Sequence, residues 1–222
     1  MDFLPFEIYS APFPKDKYGI ILEIPEYCTQ SELEAIEEHC SSNTHYNSPI
    51  PSDVYPNTAI FDIPIPYKTQ CIYDNRLELF DWFRDNHQDA KYRFDMDKIP
   101  TRESRMYLGD RVQGSPKGMG KYPPHSDAGK MITCIFPLRP VSSNSTMFTG
   151  LDNEQSEVFV PWKINHAYLF CSSQYTYHWY EGDQYNDRWI YNFNIFDKDR
   201  MSNSVIPEYN EETGYPNGLN TS

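Results

Sequence analysis

The chain has 222 residues, which is enough for one domain with a substantial hydrophobic core and few for two. Acidic residues outnumber basic ones by 32 to 19, and the resulting net charge of -13 repels phosphate backbones. The sequence contains no apolar run of about 18 residues, and its N-terminus lacks the basic and apolar segments of a signal peptide. We therefore expect neither a nucleic-acid partner nor a membrane partner; the oligomeric state stays open.

The five cysteines are scattered along the chain without a CxxC pair, and their number is odd. Cys134 and Cys171 fall within apolar segments that are typical of buried strands. This pattern favours free thiols over a disulfide framework. It predicts a reducing compartment and hence a cytoplasmic location.

The N-terminal part predicts a strand followed by a helix. The segment "YGIILEI" has the composition of a strand, and "TQSELEAIEEHC" begins with a capping box in which Glu32 follows Thr29 by three residues. The capping box predicts a helix near residues 29–40. The next stretch, residues 49–66, is rich in proline and cannot form a regular helix.

A second helix is predicted near residues 75–90, because Leu77, Phe80 and Phe83 recur at helical spacing. From about residue 101 the period changes to that of strands. Seven short strands are predicted, each bounded by turn residues. They are "ESRMYLGD", "GKMITCIFPL", "STMFTGLD", "SEVFVPW", "HAYLFCSS", "YTYHWYEG" and "DRWIYNFNIFD".

This order of elements predicts a mainly β fold with flanking helices, in which N-terminal helices pack on one sheet of a jelly-roll core. We expect a single domain over residues 1–222. Residues 1–100 would support the core, residues 101–200 would form it, and residues 201–222 would be a polar tail. The Gly- and Pro-containing segment 111–121 is expected to be a flexible loop and a candidate lid.

A histidine and an aspartate stand one residue apart before an apolar strand, in the sequence "YPPHSDAGKMITCIFPL". In an extended segment residues i and i+2 point to the same side, so His125 and Asp127 are expected to project together. Two such side chains can share one metal ion. The pair therefore predicts a metal site that needs a third ligand.

The third ligand is predicted to be His178, since it lies inside a predicted strand whereas His166 lies at a turn. Arg188 follows His178 by ten residues and opens an apolar, aromatic strand. A strand, a turn and an antiparallel return would bring Arg188 near His178. A buried guanidinium requires an anion and binds a carboxylate through two hydrogen bonds.

Two histidines and one carboxylate occupy one face of an octahedron and leave three positions open, which suits non-haem Fe(II). An arginine deep in the same barrel would suit a dicarboxylate that chelates the metal at one end and meets the arginine at the other. His125, Asp127, His178 and Arg188 together therefore predict an iron site with a dicarboxylate ligand.

The pattern HxD, about 50 residues, His, ten residues, Arg resembles that of the 2-oxoglutarate/Fe(II)-dependent dioxygenases, and most of all their prolyl 4-hydroxylase-like branch. The resemblance covers roughly residues 102–197. It implies a double-stranded β-helix, also called a jelly roll. It also implies an iron site made by His125, Asp127 and His178, and a 2-oxoglutarate site made by Arg188 and Tyr107.

The same resemblance implies hydroxylation of an unactivated C–H bond, with 2-oxoglutarate converted to succinate and CO2 and with ascorbate as reductant. An aspartate at position 127, rather than alanine or glycine, favours hydroxylation over the halogenation of some relatives. The Gly-Gly-Glu motif of the prolyl branch has no counterpart in "NSTMFTGLD". The substrate therefore stays open between a peptide, with proline as one candidate target, and a small molecule.

Three alternatives remain open. A nucleic-acid demethylase of the same superfamily is opposed by the acidic charge, and a cupin-like Zn or Mn enzyme would not need a dicarboxylate-binding arginine. A non-enzymatic jelly roll, acting in interactions or as a viral structural module, would carry the triad by accident. In that case the three ligands would not converge in the fold. For Arg188 taken alone, the alternative is a salt bridge to Asp183 or Asp187 at the surface.

Overall fold

The computed structural model describes residues 1–13, 19–42, 59–61, 65–86, 106–115, 117–118, 120–125, 130–148, 157–171, 176 and 178–197. The predicted tail 201–222 and Asp127 lie outside the described residues. The backbones of His125 and Tyr107 are described, but their side chains are not.

Three helices are described: α1 (Gln30–Ser42), α2 (Tyr67–Asp74) and α3 (Arg76–Asn86). Helix α1 begins at the predicted capping box. The Thr29 amide donates to the Glu32 carboxylate at 2.7 Å, and the Glu32 amide donates to the Thr29 hydroxyl at 3.3 Å. These two bonds satisfy amide groups that have no partner within the helix.

Helix α3 agrees with the second predicted helix over Arg76–Asn86, whereas helix α2 was not predicted. Helix α2 begins directly after Pro66, and its Tyr67 amide donates to the Glu32 carboxylate at 2.6 Å. With eight residues, of which only Thr69 and Ile72 are buried, it is too short to give a clear helical period.

In the part of the chain that the structure describes, eleven strands form two antiparallel sheets. In chain order they are β1 (Tyr9–Ser10), β2 (Ile21–Pro25), β3 (Ala59–Phe61), β4 (Met106–Ser115), β5 (Lys121–His125), β6 (Lys130–Arg139), β7 (Thr146–Phe148), β8 (Val158–Val160), β9 (His166–Cys171), β10 (His178–Glu181) and β11 (Arg188–Asp197). The large sheet has the order β1-β2-β9-β6-β11-β4-β3, and the small sheet has the order β5-β10-β7-β8.

The large sheet buries both of its faces. Its helix-facing side packs against α1, α2 and α3 in one cluster that includes Ile36, Ile72 and Phe83. Its barrel side packs against the small sheet in a second cluster, where Ile135 and Phe170 of the large sheet meet residues such as Phe148, Val158 and Val160 of the small one. The predicted fold, mainly β with a jelly-roll core and helices on one sheet, is therefore confirmed.

The predicted flexible loop over residues 111–121 is wrong at both of its ends. Residues Arg111–Ser115 continue β4 and pair with β11, and β5 begins at Lys121. Gly114, which suggested a loop, is required by packing, because a Cβ at this position would come within 2.9 Å of the Trp189 ring. Between the strands, the Gly118 amide donates to the Asp183 carbonyl at 2.7 Å, so the segment is tied to the β10–β11 turn.

No helix in the described part of the chain is long and apolar enough to cross a membrane. All five cysteines are free thiols, and Cys28, Cys40, Cys134 and Cys171 are buried. The cytoplasmic location and the domain boundaries stay predictions.

Candidate active site

The register of β5 and β10 places two predicted metal ligands opposite each other. His125 and His178 are direct backbone partners in this antiparallel pair, and such positions share one face of a sheet. The ladder is irregular between His178 and Tyr180. The step of two residues between them on β10 is matched by a step of three residues on β5, from His125 to Tyr122. Such bulges are frequent beside active sites.

His178 is a buried histidine whose ring lies inside the barrel. Its ring centroid is 5.5 Å from that of Phe148 and 5.2 Å from that of Phe170. Its Nδ1 lies 2.9 Å from the Thr176 carbonyl oxygen. Since a carbonyl can only accept, Nδ1 carries the proton and the lone pair of the neutral ring is on Nε2. This is the tautomer of a histidine that ligates metal through Nε2.

His166, the competing histidine, has a different environment. Its Nδ1 lies 2.8 Å from Glu23 Oε1, which also accepts from Lys163 Nζ at 2.8 Å. His166 is thus held in a partly exposed ion cluster at the end of β9. This contrast supports the choice of His178, although the complete ligand set stays a prediction. Within the described residues no three His, Cys, Asp or Glu side chains form a metal site, and Asp127 lies outside that set.

Arg188 is buried with 2% of its surface exposed, at the first position of β11. Its guanidinium carbon lies 4.2 Å from the Tyr180 ring centroid and 4.6 Å from that of Trp162. Its Nη2 donates to the Thr146 hydroxyl over a long 3.4 Å. Two aromatic faces and one hydroxyl therefore hold the guanidinium in place inside the barrel.

The electrostatics of Arg188 leave its positive charge without an acidic partner among the described residues. Burial lowers the pKa of Arg188 to about 10, so the side chain stays protonated at neutral pH. The Asp183 carboxylate accepts from the amides of the following turn, and Asp187 accepts from the Lys117 amide at 3.0 Å. The alternative in which Arg188 pairs with either aspartate at the surface is wrong. Its Nε has no hydrogen-bond partner in the described part of the chain.

The register contradicts the prediction that Tyr107 helps Arg188 to hold a ligand. Tyr107 is the backbone partner of Phe196, whereas Arg188 is the partner of Ser115. Ser115 lies eight positions along β4 from Tyr107, a distance of roughly 26 Å. The prediction failed because β4 was expected to end at the Gly-Asp turn, and it continues for five more residues.

The pairing of β7 with β10 gives the distance along the strands between His178 and the guanidinium of Arg188. Phe148 is opposite His178, and Thr146, which contacts Arg188, is opposite Tyr180. The two levels are two strand residues apart, or about 7 Å. This is close to the span of an extended five-carbon dicarboxylate.

Sequence reasoning missed the side chains around Arg188, namely Thr146, Trp162 and Tyr180. A signal existed for Tyr180, which stands two residues after His178 and so shares its side of the strand. Thr146 and Trp162 gave no such signal, because their positions depend on which strands pair. Both line a cavity inside the barrel together with Ile135, Phe148 and Tyr168.

No protein-family model matches this chain, and no curated protein sequence does. Among solved structures it is similar to a prolyl hydroxylase from Trichoplax adhaerens in complex with a hypoxia inducible factor oxygen degradation domain peptide fragment. The two share 15% identity with a TM-score of 0.52, over 83% of this chain and 86% of that one.

Two further structures have TM-scores of 0.49. One is the viral collagen prolyl hydroxylase from Paramecium Bursaria Chlorella virus-1, with 13% identity over 86% of this chain and 96% of that one. The other is the non-heme alpha ketoglutarate dependent epimerase SnoN from nogalamycin biosynthesis, with 12% identity over 82% and 77%. At these identities the likeness concerns the fold alone: the chain has the jelly-roll fold of the Trichoplax prolyl hydroxylase.

Proposed function

We propose that this protein is an Fe(II)- and 2-oxoglutarate-dependent dioxygenase that hydroxylates an unactivated C–H bond. One observation carries the proposal. The buried, charged Arg188 has no carboxylate partner among the described residues, and it lies about one five-carbon diacid from the level of His178. A dicarboxylate whose far end meets Arg188 would place its near end at the proposed metal site.

His125, Asp127 and His178 would hold the iron. When bound, Fe(II) would supply the oxygen chemistry, in which 2-oxoglutarate, O2 and a substrate C–H bond become succinate, CO2 and a C–OH group. The donor set fits this metal, since two imidazoles and one carboxylate leave three positions open for ligands. The Thr176 carbonyl supports the fit by fixing the proton of His178 on Nδ1.

The side chains in and around the site would bind and orient 2-oxoglutarate. Arg188 would neutralise its far carboxylate, and the rings of Tyr180 and Trp162 would restrict the guanidinium to one orientation. Phe148 and Phe170 would hold the His178 ring and exclude water from its apolar side.

The substrate is proposed only as a class, a peptide or a small molecule. The Trichoplax enzyme was solved with a peptide fragment, which makes peptides the first candidates to test. Asp127 favours hydroxylation, since it would fill the position that a halide would need. We also propose that the protein is cytoplasmic and that it uses ascorbate as reductant.

The test is conversion of 2-oxoglutarate to succinate under Fe(II) and ascorbate, with panels of peptides and free amino acids. Asp127→Ala removes the only anionic ligand and should abolish turnover and weaken Fe(II) binding in a direct titration. His166→Ala is the control, because this histidine lies in the Glu23 ion cluster and should keep full activity. Full activity of Asp127→Ala would show that its carboxylate is no ligand. A wild-type protein that neither binds nor consumes 2-oxoglutarate would favour the non-enzymatic jelly roll.

A further inference from the structure

Two buried polar atoms at or beside the barrel cavity lack a hydrogen-bond partner within the described residues. One is Nε of Arg188, and the other is the hydroxyl of Tyr168. The proposed function uses the first and leaves the second unexplained. A buried hydroxyl without a partner is destabilising, since it loses its hydrogen bonds to water and gains none.

Tyr168 lies on the barrel side of the large sheet, in the middle of β9. It is 3% exposed and packs in the cluster that includes Ile135 and Phe148. Its neighbours in the chain, Ala167 and Leu169, belong to the helix-facing cluster instead. A phenylalanine would fill the same space without burying a hydroxyl, so packing alone does not account for a tyrosine here.

Two residues that line the cavity link Tyr168 with Arg188. Trp162 and Thr146 line the cavity together with Tyr168, and both contact the guanidinium of Arg188. The Thr146 hydroxyl accepts from Arg188 and retains its own proton for donation. Two hydroxyls therefore line a cavity whose other lining residues are apolar, and the guanidinium of Arg188 contacts two of the lining residues.

The nearest acidic residue in the register is Glu23, the backbone partner of Tyr168 on β2. Its carboxylate is engaged by Lys163 and His166, each at 2.8 Å. No acidic side chain lines the cavity in the described part of the chain. The donors around it are thus matched to one anionic group of a ligand, and a carboxylate accepts several such bonds at once.

We infer that Tyr168 donates a hydrogen bond to the far carboxylate of 2-oxoglutarate, beside Arg188 and Thr146, in the role that the sequence suggested for Tyr107. This inference rests on the proposed function and specifies the residues of its cofactor site. Tyr168 acts as a binding residue, and its hydroxyl finds its missing partner when the cofactor binds.

The experiment measures binding of two keto acids to the full chain loaded with Fe(II) without oxygen, by titration calorimetry. 2-Oxoglutarate carries the far carboxylate, and 2-oxobutyrate keeps the keto-acid end but lacks it. Tyr168→Phe removes only the hydroxyl and should weaken 2-oxoglutarate binding roughly ten-fold or more, since the lost bond is to a charged group. Its affinity for 2-oxobutyrate should not change. Tyr107→Phe is the matched control and should bind both acids as wild type does.

Thermal unfolding of the ligand-free protein supplies a second readout. Tyr168→Phe should melt at the wild-type temperature or above, because it removes an unpartnered buried hydroxyl. Tyr27→Phe should melt lower, since it loses a 2.6 Å hydrogen bond to Thr69. The inference is overturned if Tyr168→Phe binds 2-oxoglutarate as tightly as wild type does, or if it weakens both acids equally. Failure of the wild type to bind 2-oxoglutarate would overturn the proposed function itself.

Discussion

The two faces of the large sheet are both buried, yet they differ in chemistry along the same strand. On β11, Trp189, Tyr191, Phe193 and Ile195 alternate toward the helices, in the helix-facing cluster. The intervening positions carry Arg188, Ile190, Asn192 and Asn194, and all four are buried. One strand therefore builds a dry apolar core on one side and a polar interior on the other.

The difference indicates which face supplies stability and which face would bind the proposed ligand. Apolar burial against helices stabilises the fold without any ligand. On the barrel side the charge of Arg188 and the hydroxyl of Tyr168 are buried without full compensation, which costs stability. Such residues persist where a ligand completes their contacts. Substitutions on the two faces should accordingly affect different measurements.

The largest effect on stability is expected on the helix-facing side, at Phe83. This residue of α3 is 1% exposed and contacts Trp82 edge to face at 5.4 Å. Phe83→Ala should lower the free energy of unfolding by about 3–5 kcal/mol, because it removes buried apolar surface and leaves a cavity. Urea unfolding measures this loss. The affinity of the folded variant for 2-oxoglutarate should equal that of wild type, and a large loss of affinity would contradict the separation of the two faces.

A substitution at Arg188 is expected to lower the affinity for 2-oxoglutarate and not the stability of the fold. Arg188→Leu should weaken 2-oxoglutarate binding by about 100-fold, since the far carboxylate would lose its cationic partner. The free energy of unfolding without ligand should stay the same or rise, because a buried charge without a carboxylate is removed. Calorimetry and urea unfolding of one sample measure both quantities.

Arg188→Lys is the matched variant and should recover only part of the affinity, because an ammonium offers a point charge where a guanidinium offers a fork. Fe(II) affinity should be similar in all three proteins. If Arg188→Leu lowers stability and leaves 2-oxoglutarate binding intact, Arg188 is a structural residue.

Local sequence signals predicted much of this arrangement. The capping box at Thr29 and Glu32 gave the start of α1, and strand alternation gave the jelly roll and its flanking helices. The inward position of Arg188 followed from a charge placed within an apolar strand. In each case the residues that carry the signal are close in sequence, or the signal is a regular spacing of apolar residues.

Features that depend on long-range register were not predicted. The length of β4 is fixed by its pairing with β11, which decides that Ser115 rather than Tyr107 is opposite Arg188. Gly114 looked like a loop residue because the ring of Trp189, 75 positions away, is not visible from its local sequence. The cavity residues Thr146 and Tyr168 come from different sheets, and no local pattern relates them.

A smaller effect is expected in the polar network on the barrel side of β6 and β11. The Thr133 hydroxyl donates to Asn194 Oδ1 at 3.1 Å, and Asn194 Nδ2 donates to Asn192 Oδ1 at 2.5 Å. Asn194→Ala removes the central member and should cost about 1–3 kcal/mol of unfolding free energy, because its buried partners lose a bond. The exposed Asn186 is the control, and Asn186→Ala should change stability by less than about 0.5 kcal/mol. A loss at Asn194 no larger than that at Asn186 would show that the network contributes nothing to stability.

The smallest effect is expected far from the barrel, at the start of α1 on the helix-facing side. The Thr29 hydroxyl accepts from the Glu32 amide at 3.3 Å and donates to the Glu32 carboxylate at 2.9 Å. Thr29→Ala should lower the free energy of unfolding by about 1 kcal/mol, since an amide of the first turn loses its partner. Thr29→Ser keeps the hydroxyl and should lose much less. Neither variant should alter 2-oxoglutarate affinity, because α1 packs on the face of the sheet that is remote from the cavity. An altered affinity in Thr29→Ala would mean that the helix layer and the barrel are coupled through the sheet, and the comparison of two independent faces would fail.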